Sequence, residues 1–353
     1  MKLQGYALAA AAAMLLVSGT MAVAACPTKG VQELTGAGAT FPYPLYSKMF
    51  AEYDKLCHVK VNYQSIGSGG GIRQLQEQTV DFGASDGIMD EKQKSEAKAG
   101  TILHIPIVAG AEAIIYNLQG IQRGQIKLTP EVLADIYLKK INNWNDNRIK
   151  ALNPGLTLPD LAIAVVHRSD GSGTTFIFTN YLSKVSPEWK DKVGFATSVN
   201  WPGDVGGKGN EGVANSVKQI PGAIGYVELA YATQYRLAWA QLSNKAGTYL
   251  EPGLDSAASA ADQPELPDNM EVMVTDSANP KAYPITGFTW LLVYENQKDE
   301  AKADAVANLA WWMIHDGQQY ALPLEYAPLK GAALQKAENL VKKIKVNGHA
   351  VLK

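Results

Sequence analysis

Apolar positions along this chain fall into two rhythms. Residues 34–37, 60–66, 82–85, 101–108, 113–116, 163–166, 223–227 and 288–293 are short, largely apolar runs, the mark of strands in a buried sheet. Between them, apolar residues recur every three or four positions, as on helices that cover such a sheet. Residues 42–56 place Leu45, Met49, Phe50 and Tyr53 on one face. Thr129-Pro130-Glu131 opens another helix, with a capping hydroxyl, Pro at the first helical position and a stripe of Val132, Leu133, Ile136 and Tyr137. Further helices are expected over 72–78, 176–182, 210–219, 299–314 and 332–344. Residues 255–280, where Ala, Ser, Asp and Pro cluster, read as a surface excursion without order signals.

Strands that alternate with helices indicate α/β layers, and 353 residues suffice for two such domains. Ala109-Gly110 separates two apolar runs, and Tyr283-Pro284 precedes the last strand. A chain that crosses between lobes at these points assigns 26–109 plus 284–353 to lobe I and 110–283 to lobe II. A ligand would then lie between the lobes.

Residues 1–25 read as a signal peptide. Lys2 supplies the positive start, 6–17 form an apolar core too short to span a bilayer, and Ala22-Val23-Ala24 offers a cleavage site. Export gives meaning to the two cysteines, Cys26 and Cys57, an even pair that suggests one disulfide. The rival reading takes Val23-Ala24-Ala25-Cys26 as a lipobox, with Cys26 lipidated and Cys57 unpaired. Both put the mature chain outside the cytoplasm. With 32 Lys and Arg against 34 Asp and Glu, the net charge of -2 leaves no basic excess for a nucleic acid.

Three loops share small residues, hydroxyls and a following helix: Gly36-Ala37-Gly38-Ala39-Thr40-Phe41-Pro42, Gly67-Ser68-Gly69-Gly70-Gly71 and Gly171-Ser172-Gly173-Thr174. Each offers backbone N–H groups and a positive helix end to an anion. Arg168 adds a charged fork matched to a tetrahedral oxyanion, and Asp170 is placed to hold that fork. Neither nucleotide-binding fingerprint fits these glycines. Asp86, at the carboxyl end of a strand, is at odds with an anion site unless the anion carries a proton. Hydrogen phosphate can donate to it, whereas sulfate would meet it lone pair to lone pair. Arsenate, protonated like phosphate, passes the same test. His167 should point away from the site by strand alternation.

The motifs at 35–46 (TGAGATFPYPLY), 61–71 (VNYQSIGSGGG), 80–86 (VDFGASD), 168–174 (RSDGSGT) and 221–228 (PGAIGYVE) resemble, in order and over nearly the whole mature chain, the periplasmic phosphate-binding proteins of bacterial phosphate ABC importers. The resemblance implies a two-lobed α/β fold of the type II periplasmic-binding class, with two domains joined by a two-crossing hinge and the ligand in the cleft. It implies a monomeric, non-enzymatic protein that binds inorganic phosphate, without metal or cofactor, and delivers it to a membrane ABC permease from the periplasm. Matched position by position, the phosphate contacts would be Thr40, Phe41, Ser68, Asp86, Arg168, Ser172, Gly173 and Thr174, with Asp170 as the partner of Arg168. Two alternatives remain at this stage. One is a secreted scavenger or surface protein with no transport role. The other is a secreted phosphatase, against which the scattered histidines (58, 104, 167, 315 and 349) show no metal-ligand spacing and Ser172 no sequence-evident base.

Overall fold

The computed structural model describes residues 26–203 and 205–352; the targeting segment expected over 1–25 lies outside them. Its first twelve strands, in chain order, are β1 (Glu33–Gly38), β2 (Lys60–Ser65), β3 (Phe82–Ser85), β4 (Ile102–Tyr116), β5 (Lys127–Leu128), β6 (Ala164–Arg168), β7 (Val205–Gly207), β8 (Ala223–Glu228), β9 (Ala238–Trp239), β10 (Gln241–Ser243), β11 (Tyr249–Leu250) and β12 (Thr286–Tyr294). The principal sheet runs β2-β1-β3-β12-β4-β8-β6-β7. β1 is parallel to β2 and β3, and β6 is parallel to β7 and β8. β12 and β4 join these two parallel sets through antiparallel pairings. β3, β4, β8 and β12 are buried along their whole length, as expected of strands covered on both faces.

β4 corrects one expectation. The two apolar runs at 101–108 and 113–116 form one 15-residue strand with no turn between them. Its first part pairs with β12 and its residues 112–116 pair with β8, so a single strand serves both halves of the sheet. Gly110 lies within the strand, paired with Gly287. A Cβ at this position would lie 2.7 Å from the Phe41 ring, so the glycine meets a close approach rather than a turn.

Residues 255–280 are also more ordered than expected. They contain the helix Leu254–Ala261 and bury Ala257, Ala260, Leu266, Met270 and Val274. Alanine is a strong helix former and small enough to lie close against the sheet, so its abundance here favours a packed helix. Met270 O accepts the indole N–H of buried Trp290 at 3.1 Å, which ties the segment to β12.

The helix Tyr43–Cys57 buries Leu45, Met49, Phe50 and Tyr53, as its spacing predicts, together with Tyr46. At its end Cys57 is joined to Cys26 in a disulfide, with Cα atoms 5.3 Å apart. The pairing reading of the two cysteines therefore holds in this structure.

Two loop-associated helices start earlier than the periodicity suggests. Ser68–Gln76 takes the glycines 69–71 into its first turns, and Gly173–Val185 starts inside the third loop. The reason at Gly71 is steric, because a Cβ there would run into the backbone of Ala37 and Gly38. Only glycine lets the helix back onto β1 so closely.

Candidate anion-binding site

Strand ends and helix starts bring the three loops to one place. Thr40 and Phe41 follow β1 and precede the helix Tyr43–Cys57; Ser68 opens the helix Ser68–Gln76; Asp86 follows β3. From the other half of the sheet, Arg168 ends β6 and Ser172 caps the helix Gly173–Val185, accepting from Thr175 N at 3.0 Å. The two sets touch. Gly69 N donates to Gly171 O at 2.9 Å, and a Cβ on Gly173 would overlap Asp86. Thr40, Phe41, Ser68, Asp86, Arg168, Ser172 and Thr174 are all buried.

The hydroxyls of this cluster are turned into donors by their neighbours. Thr40 Oγ1 accepts twice from Asn210, from its N–H at 3.2 Å and from Nδ2 at 2.7 Å. Thr174 Oγ1 accepts from Arg168 Nη1 at 3.2 Å and from Asn210 Nδ2 at 3.1 Å. A hydroxyl has two acceptor lone pairs and one hydrogen, so both threonines have only the hydrogen left to offer. Ser68 Oγ accepts from Asp86 N at 3.3 Å and Ser172 Oγ accepts from Thr175 N. Each keeps its hydrogen as well. Four hydroxyl donors thus join the first-turn N–H groups that an α-helix leaves unsatisfied.

Arg168 is held on two sides. Its Nε and Nη2 donate to Asp170 Oδ1 and Oδ2 at 2.7 and 2.5 Å, a bidentate pair, while Nη1 points to Thr174. Burial tends to raise the Asp170 carboxyl, but the Arg168 fork outweighs it and holds the group below its usual range, so the pair is ionised. Asp170 Oδ1 also accepts from Gly209 N at 3.1 Å. His167 turns away, as expected, and stacks on Trp201 with ring centroids 4.9 Å apart.

Asp86 is a different kind of carboxyl. Its Oδ1 accepts from Thr289 Oγ1 at 2.7 Å, and its buried Oδ2 has no hydrogen-bond partner. Burial pushes its pKa up to about 7, against the opposing pull of Thr289 and Arg168. A group of that basicity, with an unused oxygen beside Gly173, is built to share a proton.

Three contributors escaped the sequence reading. Asn210 links Thr40 to Thr174, and its Oδ1 accepts from Glu228 N at 2.9 Å. Thr289 fixes Asp86. The hydroxyl of Tyr226 accepts from Arg168 N at 3.2 Å and lies 2.6 Å from Thr175 Oγ1. Asn210 and Thr289 sit within an expected helix and strand, where nothing in the local pattern separates a polar site residue from an ordinary one. Among the described residues no group of three or more His, Cys, Asp or Glu side chains is arranged to hold a metal ion.

Residues 23–316 match the family model described as a PBP superfamily domain. The chain is 47% identical over 319 residues to the phosphate-binding protein PstS of Xylella fastidiosa (strain 9a5c), covering 90% of this chain and 85% of that protein. It is 48% identical over 313 residues to PstS of Pasteurella multocida, covering 88% and 90%. This chain belongs to the PstS family. Solved structures agree on the fold of this family member. A high-affinity periplasmic phosphate-binding protein (PfluDING) bound with phosphate superposes with a TM-score of 0.69 at 20% identity, covering 87% of this chain and 93% of that one. A phosphate ABC transporter substrate-binding protein from Clostridium perfringens with bound phosphate gives 0.61 at 18%, covering 84% and 100%. The architecture is accordingly that of the two-lobed periplasmic binding proteins.

Proposed function

We propose that this PstS-family chain binds one inorganic phosphate between its two lobes and delivers it to the membrane permease of a phosphate ABC importer. The carrying observation is the hydrogen-bond sense of the site. Thr40 and Thr174 have both acceptor positions filled by Asn210 and Arg168, so the cleft presents donors to a ligand that accepts. Asp86, whose Oδ2 has no partner, is the acceptor this reading assigns to the ligand, and it selects an oxyanion that still carries a proton. The ligand set assigned to this chemistry is Thr40, Phe41, Ser68, Asp86, Arg168, Ser172, Gly173 and Thr174, with Asp170 steadying Arg168. The role is binding without catalysis, and relatives that are named binding proteins support it.

The same reading assigns 26–109 and 284–353 to one lobe and 110–283 to the other, with β4 and the segment before β12 as the two crossings. It puts the mature protein outside the cytoplasm. Among the described residues no helix is long and apolar enough to cross a membrane.

Calorimetric titration tests the function directly. One phosphate is expected per chain, with sulfate failing to displace it. Sulfate that competes on equal terms would remove the role given to Asp86. Complementation of phosphate uptake separates delivery to a permease from binding alone.

A further inference from the structure

Glu112 lies where β4 changes partners. Its neighbour Ala111 pairs with Thr286 of β12, whereas Glu112 itself pairs with Glu228 of β8. Its N–H donates to Ile285 O at 2.8 Å, so it also touches the segment that enters β12. The side chain is fully buried, and neither carboxyl oxygen has a hydrogen-bond partner in the protein. Glu228, directly across the ladder, is buried as well. One of its oxygens accepts from Ala230 N at 2.8 Å and the other has no partner.

Charge balance in this region is unfavourable unless protons are present. Arg168 is already matched by Asp170. Asp86, Glu112 and Glu228 are three further buried carboxyls without a cation of their own. Ionised together they would repel one another and any anion held beside them. Asp86 has Thr289 to steady a charge, and Glu228 has the Ala230 N–H. Glu112 has neither. The groups that bear on it are Asp86, Arg168 and Glu228, with the phenols of Tyr137, Tyr226 and Tyr283. Burial is the main cause that raises its carboxyl well above the usual range; Asp86 and Glu228 add to it and Arg168 opposes.

We propose that Glu112 is a proton-carrying member of the anion site, neutral when the lobes are closed on the ligand and weakening the grip on it when ionised. The proton comes from solvent as the cleft closes and returns to solvent as it opens; no other bond changes. Asp86 and Arg168 lie on opposite sides of the proposed cleft, so closure alters the surroundings of Glu112 from both directions. The inference rests on the phosphate reading above and adds a pH-sensitive element to it.

The test is calorimetry of phosphate binding between about pH 7 and pH 9, in buffers of different ionisation enthalpy, with the wild type and Glu112→Gln. The ionisation of phosphate itself is common to both proteins and cancels. Close to one more proton should be taken up per phosphate by the wild type than by the variant. The wild-type affinity should fall across this range up to about a hundredfold more than that of Glu112→Gln. Equal proton counts and superimposable pH profiles, in a variant with a native melting curve, would overturn the proposal. Glu112→Leu, which replaces the carboxyl with hydrocarbon of similar size, gives the same comparison if the amide is not tolerated. Carbon-13 labelling of glutamate carboxyls reports the same state: a glutamate signal that stays neutral above about pH 6 in the wild-type phosphate complex and is lost in Glu112→Gln is expected, and ordinary titration of every glutamate, or no such signal lost in the variant, sinks the idea. A wild type that binds no phosphate at all refutes the phosphate reading itself, which is a separate outcome.

Discussion

Asn210 shows how single residues set the sense of this site. Its amide and backbone N–H groups fill acceptor positions on Thr40 and Thr174, and those two hydroxyls are left as donors. Asn210→Ala removes the side-chain bonds and frees a lone pair on each threonine toward the cleft. At about 1 kcal/mol for each net hydrogen bond, phosphate affinity should fall by about tenfold to thirtyfold, measured by calorimetry. An unchanged affinity would mean that the threonine hydroxyls are not oriented by Asn210. Arg168 works on the same scale with a stiffer support, since Asp170 holds its fork in two bonds and cannot itself be spared without leaving the guanidinium loose. These roles were unevenly legible. Arg168, Asp170 and Asp86 stand out beside glycine loops, whereas Asn210 looks like any polar position in the helix Gly209–Gln219.

At the scale of elements, the site depends on helix starts packed against strand ends. Gly173 opens its helix against Asp86, and a methyl group there would overlap the backbone and Cβ of Asp86. Gly173 is not among the residues with positive φ, so alanine meets no backbone penalty at this position. The cost of Gly173→Ala is therefore steric: its Cβ would lie 2.5 Å from Asp86 N, the two loops must part, and the melting temperature without ligand should fall. Phosphate affinity should drop by about tenfold to a hundredfold, the range expected when about 1–3 kcal/mol of overpacking keeps these two loops apart. Binding at wild-type strength would show that these two loops do not need to meet. Periodicity located the longer strands because most of them are short apolar runs. It missed the first turns of Ser68–Gln76 and Gly173–Val185 because glycine carries no apolar signal, although glycine is what the close approach requires.

The whole molecule is joined through β4. A strand buried throughout its length pairs with β12 and then with β8, so it gives the two halves one continuous axis. Ligand held between halves stabilises the assembled form by mass action. With phosphate at about a thousand times its Kd, stability should rise by about 4 kcal/mol, seen as an upward shift of the melting transition, and sulfate at the same concentration should give no shift. An equal shift with both anions would mean that the site reads charge alone. Removal of phosphate by dialysis should return the transition to its starting position.

The sequence by itself determined the α/β class, the seven described strands of four residues or more, the helix Tyr43–Cys57 and its buried face, and the three small-residue loops with Arg168 and Asp86 as their charged members. These are local properties, carried by periodicity, capping residues and short motifs. Tertiary structure decided the rest. It made one strand of two apolar runs, because the ladder between β4 and β12 continues through Gly110. It ordered the alanine-rich segment after Leu254, because small side chains pack closely on the sheet. It also brought Asn210 and Thr289 to the site and buried Glu112 without a side-chain partner. Their polarity means little in one dimension, since a hydrogen-bond partner or a buried unpaired carboxyl is defined only by what lies opposite it in space.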